Sequence, residues 1–426
     1  MKLFRILSVT LSVAFLALTD AMAQPAPYQA VYSVDGSKTA EDNRSRNSIE
    51  AFGKDQSAAI AYGGSKLSMT WMRIHKTAGT ASKSEEYPGL NASVLALEGS
   101  RIGMDNCTVS SHSGYSDVAS AVGSGSALTI TNGSFQSTRQ FSPVVTAYDG
   151  ALCTNSSVKL ASEDSHSPLA CSHGDASEIR IENCKGYTGG IVSPLFRGSG
   201  RIMATGCHFQ SKNSNYVTIE GSGNIEITEC ELLDAAEGAI KAINIDGVPS
   251  ANPSRLNISK SKMVVKTGGL ISAVNCNSEI VLEKNTISTP KGAAFLEAYS
   301  DEFGEAGKNG GHVKVRLVSQ AVTGDVLVNE ISSAVIELGK GSTLKGAVNP
   351  EGAAGRVDIY LAKGAVWSSK SGSNVTVVRF EQPVEKGVKQ IKSKGDIVYD
   401  ASDPLNAPLG GREFKLAGGG HLRPSK

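Results

Sequence analysis

Three phrases near the middle of the chain begin at Ile179, Ile202 and Ile225, 23 residues apart, and each carries alternating apolar residues with a cysteine five positions on, at Cys184, Cys207 and Cys230. Alternation at period two marks a strand with one buried face. A short fixed period of strands is a stronger constraint. One such unit cannot bury its apolar face alone, so the units must stack on one another. The same phrase occurs upstream as LSMTWM at Leu67, IGMDNC at Ile102 and LTITNG at Leu128, in weaker form near Val158 to Leu160, and downstream as LNISKS at Leu256 and IVLEKN at Ile280. An apolar residue stands two places past the cysteine position at Ile74, Val109, Phe135, Phe209, Leu232, Met263 and Ile287.

A second strand phrase precedes most of these, starting at Val94, Val144, Leu169, Tyr216 and Leu270. Small polar pairs such as Gly-Ser follow it, as a tight corner requires. Each unit therefore holds two or three strands, and strands that coil in so few residues form a parallel β-helix. The crossover rule makes the coil right-handed. The expected fold class is all-β, a single-domain right-handed parallel β-helix (solenoid). About 12 to 15 turns at ~4.8 Å each give a rod of roughly 60–70 Å.

The ends read differently. Residues 1–23 read as a signal peptide, with a basic head at Lys2 and Arg5, an apolar run from Ile6 to Leu18 and the small-x-small site Ala21-Met22-Ala23. Residues 24–47 are polar and read as a flexible N-terminal extension. The β-helix is assigned to 48–399, with cleaner alternation and short turns over 312–381. Residues 400–426 are rich in Pro and Gly and read as a disordered tail. Three insertions break the period, at 75–89, 247–254 and 299–311, and loops on a rigid rod are where solenoids place binding surfaces.

Removing the leader leaves basic and acidic residues equal in number. That balance gives no electrostatic case for nucleic acid. No later apolar run is long enough for a transmembrane segment. The expected location is exported: extracellular, cell surface or periplasmic. The seven cysteines of an exported chain would ordinarily suggest disulfides. Here Cys107, Cys184, Cys207 and Cys230 share one repeat position. They read as a stacked interior column of small apolar fillers, mostly reduced, although adjacent turns are close enough for a bridge.

Chemistry-bearing residues are sparse. Hydrolysis of a glycoside needs two carboxyl groups facing one bond, and Asp105, Glu182, Glu226, Glu229 and Glu283 occur singly. Glu182 and Glu226 share an outer face without alignment. His173-Gly-Asp175 is the nearest approach to a catalytic histidine fragment. Cys171 with His173, and Cys207 with His208, suggest a metal only weakly, since zinc needs about four ligands and alternation puts Cys207 and His208 on opposite faces. Asp301, Glu302 and Glu305 form an acidic loop with oxygen ligands for Ca²⁺ or, more simply, a solvated turn. Tyr87, Tyr115, Tyr148, Tyr187, Tyr216 and Tyr299 would make a binding strip if exposed near turns, and otherwise cover turn edges. Asn106, Asn132 and Asn183 precede the cysteine position and read as structural, hydrogen-bonding turn to turn. No catalytic, metal-binding or cofactor-binding residue is assigned.

The C-terminal runs VLVNEISSAVIELGKGSTLKGAVN and VDIYLAKGAVWSSKSGSNVTVVRF resemble the passenger domains of pertactin-like and related adhesin autotransporters, and secreted bacterial β-helix proteins of unassigned role. The Gly-Ser-x-Leu-x-Gly phrase at Gly341 and Trp367 before Ser373-Asn-Val375 carry the resemblance. It spans roughly residues 48–381. It implies an adhesin-like, non-catalytic contact role, with host or neighbouring-cell surface proteins or glycans as partners. The alternative is a polysaccharide lyase or glycoside hydrolase of the pectin-lyase-like fold. The chain departs from an autotransporter in reaching Lys426 without a membrane barrel, so the expectation is a free secreted protein, a rod held by another component, or part of a longer product.

Overall fold

A computed structural model describes residues 27–36, 39–42, 48–82 and 86–425. The leader expected at 1–23 lies outside the described residues. Three parallel sheets wind about one axis as a right-handed β-solenoid of about 15 turns. The first sheet has 12 strands, from Gln29–Val34 to Val326–Val328. The second has 14, from Thr39–Asp42 to Val377–Phe380. The third has 10, from Ser48–Ala51 to Thr286–Ser288, and a separate four-stranded sheet from Ala321–Thr323 to Ile391–Ser393 follows it.

The second sheet is the phrase that repeats every 23 residues. Ile179, Ile202 and Ile225 stand in register, as do Ile181, Ala204 and Ile227, and all six are buried. The third sheet carries the apolar residue two places past the cysteine position: Ile74, Val109, Phe135, Leu160, Gly186, Phe209, Leu232, Met263 and Ile287 form one column. Between the two sheets the chain turns through a single residue of left-handed conformation. Asn106, Asn132, Ser157, Asn183, Glu229, Lys260 and Lys284 all have φ between 49° and 57°. Asparagine recurs here because its short side chain tolerates that conformation. Turn-to-turn bonding is the smaller part of its role: Asn132 donates to Asp105 of the previous turn at 3.0 Å, while Asn106 bonds its own neighbour Asp105 at 2.8 Å.

All seven cysteines are buried free thiols. Those of the repeat position bond as a column: the Cys207 amide donates to Cys230 Sγ at 3.4 Å, and the Val158 amide to Cys184 Sγ at 3.4 Å.

Several expectations need correction. The weak repeat placed at Val158 belongs earlier, at Leu152–Ser156, where Cys153 and Asn155 occupy the inward positions of Ile179 and Ile181. A thiol and an amide there hide the alternation. The first turn begins ahead of residue 48. Gln29–Val34 pairs with Gln56–Ala61, and Thr39–Asp42 with Lys66–Thr70. Among the described residues this turn has one neighbour only, and its first strand is largely unburied, in keeping with its polar composition. The last residues are no loose tail either. A 3-10 helix at Pro404–Leu409 and a strand at His421–Pro424 close the end of the solenoid over Leu409, Leu416 and Leu422, which are buried. Each insertion enlarges one turn without displacing it. Leu67 pairs directly with Ile102, Ile225 with Leu256, and Ile280 with Val315.

Candidate functional site

The outer face of the first sheet holds polar groups from successive turns. Ser120, Thr146, Cys171, Arg197 and Thr218 stand in one column. Cys171 therefore points away from the core, and it is Ala170 and Ser172 that point in. Thr146 Oγ1 lies 2.8 Å from both Asp117 Oδ2 and Ser120 Oγ, and Tyr148 Oη reaches the same Asp117 oxygen at 3.3 Å. The Tyr148 ring stacks on His173 at 4.9 Å, His173 Nε2 is 3.1 Å from Cys171 Sγ, and Arg197 pairs with Glu220 at 2.9 Å. Part of this face is roofed by the first insertion, whose Gly89 leaves no room for a Cβ against Leu95 and Ser120.

Burial sets the protonation of these groups. It pushes the Asp117 carboxyl and the Tyr148 phenol up, the Cys171 thiol up to about 12, and the His173 imidazole down. Burial is the largest single influence on Arg197 and opposes its charge, but Glu220 together with Cys171 and Tyr148 outweighs it and the guanidinium is held above its ordinary value. A thiol so shifted is not a thiolate nucleophile at neutral pH. The backbone positions of Asp117 and Glu220 lie four turns apart, ~19 Å along the axis at ~4.8 Å per turn, and the cluster interlocks these five turns.

A second feature lies at the corner between the third and first sheets. Tyr115, Phe141, His166 and Val192 occupy equivalent places in four successive turns, each left-handed with φ of 52–55°. The corners are held from beneath by serines. The Ser116, Ser142 and Ser167 amides donate to Ser142, Ser167 and Ser193 Oγ at 3.2, 3.0 and 3.0 Å. The backbone so fixed drives the side chains outward. Tyr115 stacks on Phe141 at 4.7 Å and Phe141 on His166 at 4.4 Å. Tyr115, Phe141, Ile191 and Val192 remain 41%, 37%, 57% and 42% exposed. Large apolar side chains left exposed in a contiguous row mark an interaction surface. The signal in the sequence was the recurrent Phe141-Ser-Pro, His166-Ser-Pro and Val192-Ser-Pro, which a search by residue type passes over because the ridge residue changes each time.

The other candidates disperse. Of the tyrosines, Tyr216 is buried and bonds the Val264 carbonyl, Tyr187 sits under Lys212, and Tyr87 meets Tyr28 edge-on. Tyr115 alone joins the ridge, and Tyr148 the polar cluster. Cys207 is in the core and His208 outside, paired with Glu231. The Asp301 carboxylate is taken up by the Asn275 amide and the Phe303 N–H, and Glu305 pairs with Lys308 at 2.9 Å. Among the described residues no three metal-ligating side chains converge. The second and third insertions meet, with Gly304 packed on the Gly247 carbonyl. Among the described residues no helix is long and apolar enough to cross a membrane. No protein-family model matches the chain, and no curated protein is significantly similar to it.

Proposed function

We propose that this β-solenoid is an exported, surface-acting rod of the adhesin type, similar in role to the passengers of pertactin-like autotransporters, and that it works by contact rather than catalysis. The observation that carries this reading is the exposed ridge of Tyr115, Phe141, Ile191 and Val192 on a rigid, serine-laddered corner. Its partner is a cell-surface or matrix protein rather than a sugar. The stack covers both faces of Phe141 and one face each of Tyr115 and His166, which leaves little ring face to lie on a sugar, while the ring edges and the aliphatic tips suit a protein pocket. Aromatic side chains on a pre-set backbone are the usual anchors of such interfaces.

A second reading, a polysaccharide lyase or hydrolase, draws on the cluster of Tyr148, His173, Arg197 and Glu220, which are partly exposed and span consecutive turns. The test separates the two. The purified protein is incubated with acidic and neutral polysaccharides, with and without Ca²⁺, and reducing ends and unsaturated products are followed. The contact reading expects neither. Cleavage that is lost in His173→Ala and Arg197→Ala would replace it with the enzymatic one.

A further inference from the structure

The wall of the solenoid opens at the third sheet. The third sheet stops at Thr286–Ser288, and the sheet that follows it starts at Ala321–Thr323 without pairing to it. The corner ahead of the gap stays closed. The Asn285 amide donates to Gln320 Oε1 at 2.6 Å, and Gln320 Nε2 donates to the Asn285 carbonyl at 3.1 Å. Beyond that corner the two strands diverge and leave a groove of about 970 Å³. Lys291, Lys345, Lys370, Lys392 and Lys394 line it, against one carboxylate, Asp325. The whole chain has a formal charge of only +1, so this is a local concentration of charge that composition conceals.

Elsewhere on the second and third sheets several lysines are neutralised across turns, as in Lys262–Glu231 at 2.6 Å and Lys314–Glu337 at 2.8 Å. None of the five groove lysines forms an ion pair among the described residues. Asp325, fixed by the Ala347 amide at 2.7 Å, offsets only one of the five lysine charges. The strand register spaces the charges. Thr323, Lys345, Ser368 and Lys392 form one outward column, which puts Lys345 and Lys392 two turns, ~10 Å, apart along the axis.

We infer that this groove binds an anionic polysaccharide lying along the rod. An extended polymer with an acidic group on successive sugars meets a row of ammonium groups at turn spacing. Ser288, Thr289, Thr323 and Ser371 supply hydroxyls for the sugar hydroxyls between them. Single-stranded nucleic acid fits less well, because its binding grooves combine cations with aromatic stacking platforms and no aromatic ring lines this one. The inference concerns a surface apart from the aromatic ridge and does not depend on it.

The test measures binding of the purified protein to heparin, polygalacturonate, dextran and a single-stranded DNA oligonucleotide at several salt concentrations. Heparin or polygalacturonate should bind and dextran should not. Lys345→Glu/Lys392→Glu should weaken binding about tenfold or more, and Lys345→Gln/Lys392→Gln should lower the salt slope by about two, one per lysine removed. Thermal melts of both variants report whether they fold. Lys260→Glu, on the second-to-third corner, should bind as the parent does, and so should Tyr115→Ser/Phe141→Ser, which keeps failure here distinct from failure of the contact role. Lack of binding to either polyanion, unchanged binding in the folded charge-reversal variant, or tighter binding of DNA than of polysaccharide would overturn the inference.

Discussion

Lys76 is fully buried at the end of its strand, with Nζ on the Gly53 carbonyl. Burial pushes its ammonium down to about 8 from 10.5. The folded value lies below the unfolded one, so the stability tied to the neutral amine is complete above about 10.5 and is lost as pH falls through about 8. Lys76→Met should therefore stabilise the protein at pH 7, by about 1–3 kcal/mol, and the gain should fade by pH 10.5 in thermal melts across that range. Gly186 shows the opposite constraint. A Cβ there would stand 1.6 Å from the Leu160 carbonyl oxygen, in a column otherwise filled by Leu, Val, Phe, Ile and Met. Gly186→Ala must push two turns apart, and we expect a loss of at least about 2 kcal/mol in denaturant unfolding.

At the scale of the element, the cysteine column is a backbone-bonding device as much as a filler. Cys230 Sγ accepts the Cys207 amide at 3.4 Å and donates to the Thr228 carbonyl at 3.3 Å. One turn on, Ser261 Oγ repeats both bonds, to the Cys230 amide at 3.0 Å and the Ser259 carbonyl at 2.8 Å. Cys207→Ser should accordingly cost less than about 1 kcal/mol, whereas Cys207→Leu overpacks the column and should cost about 1–3 kcal/mol; both are read from urea melts. These elements also show what could be read from sequence. The second sheet was legible because Ile, Leu and Val fill its inward positions turn after turn. The register of the first sheet was not legible at Leu169-Ala-Cys171, since cysteine looks apolar on either face and its column partners Thr146 and Arg197 lie 25 or 26 residues away. The candidate surfaces were least legible. The ridge changes residue type at every turn, and the lysine groove gathers side chains from 291 to 394 through a break in the sheet that leaves no local mark.

The whole molecule is a one-dimensional stack in which each turn touches only its neighbours. Its ends need covering, because an open strand edge or apolar end surface invites a second copy. The C-terminal segment does this, with Tyr399 Oη donating to the Arg412 carbonyl at 2.9 Å and Asn406 Oδ1 accepting the Val378 amide at 3.0 Å. A chain ending at Tyr399 should self-associate, shown by a larger species in size-exclusion chromatography with light scattering. A monodisperse monomer of unchanged melting temperature would contradict that role. The rigidity of the stack also matters for contact, since a ridge on fixed corners loses little freedom on binding.

The most direct test of the central claim is adherence. Beads coated with the purified protein, with Tyr115→Ser/Phe141→Ser, or with a control Leu405→Ser in the C-terminal cap are applied to cultured cells and to immobilised matrix proteins, and retention is counted. The account predicts that the parent and the cap variant adhere while the ridge variant falls about tenfold or more, as loss of two aromatic anchors implies. Equal adherence of the ridge variant and the parent would contradict it.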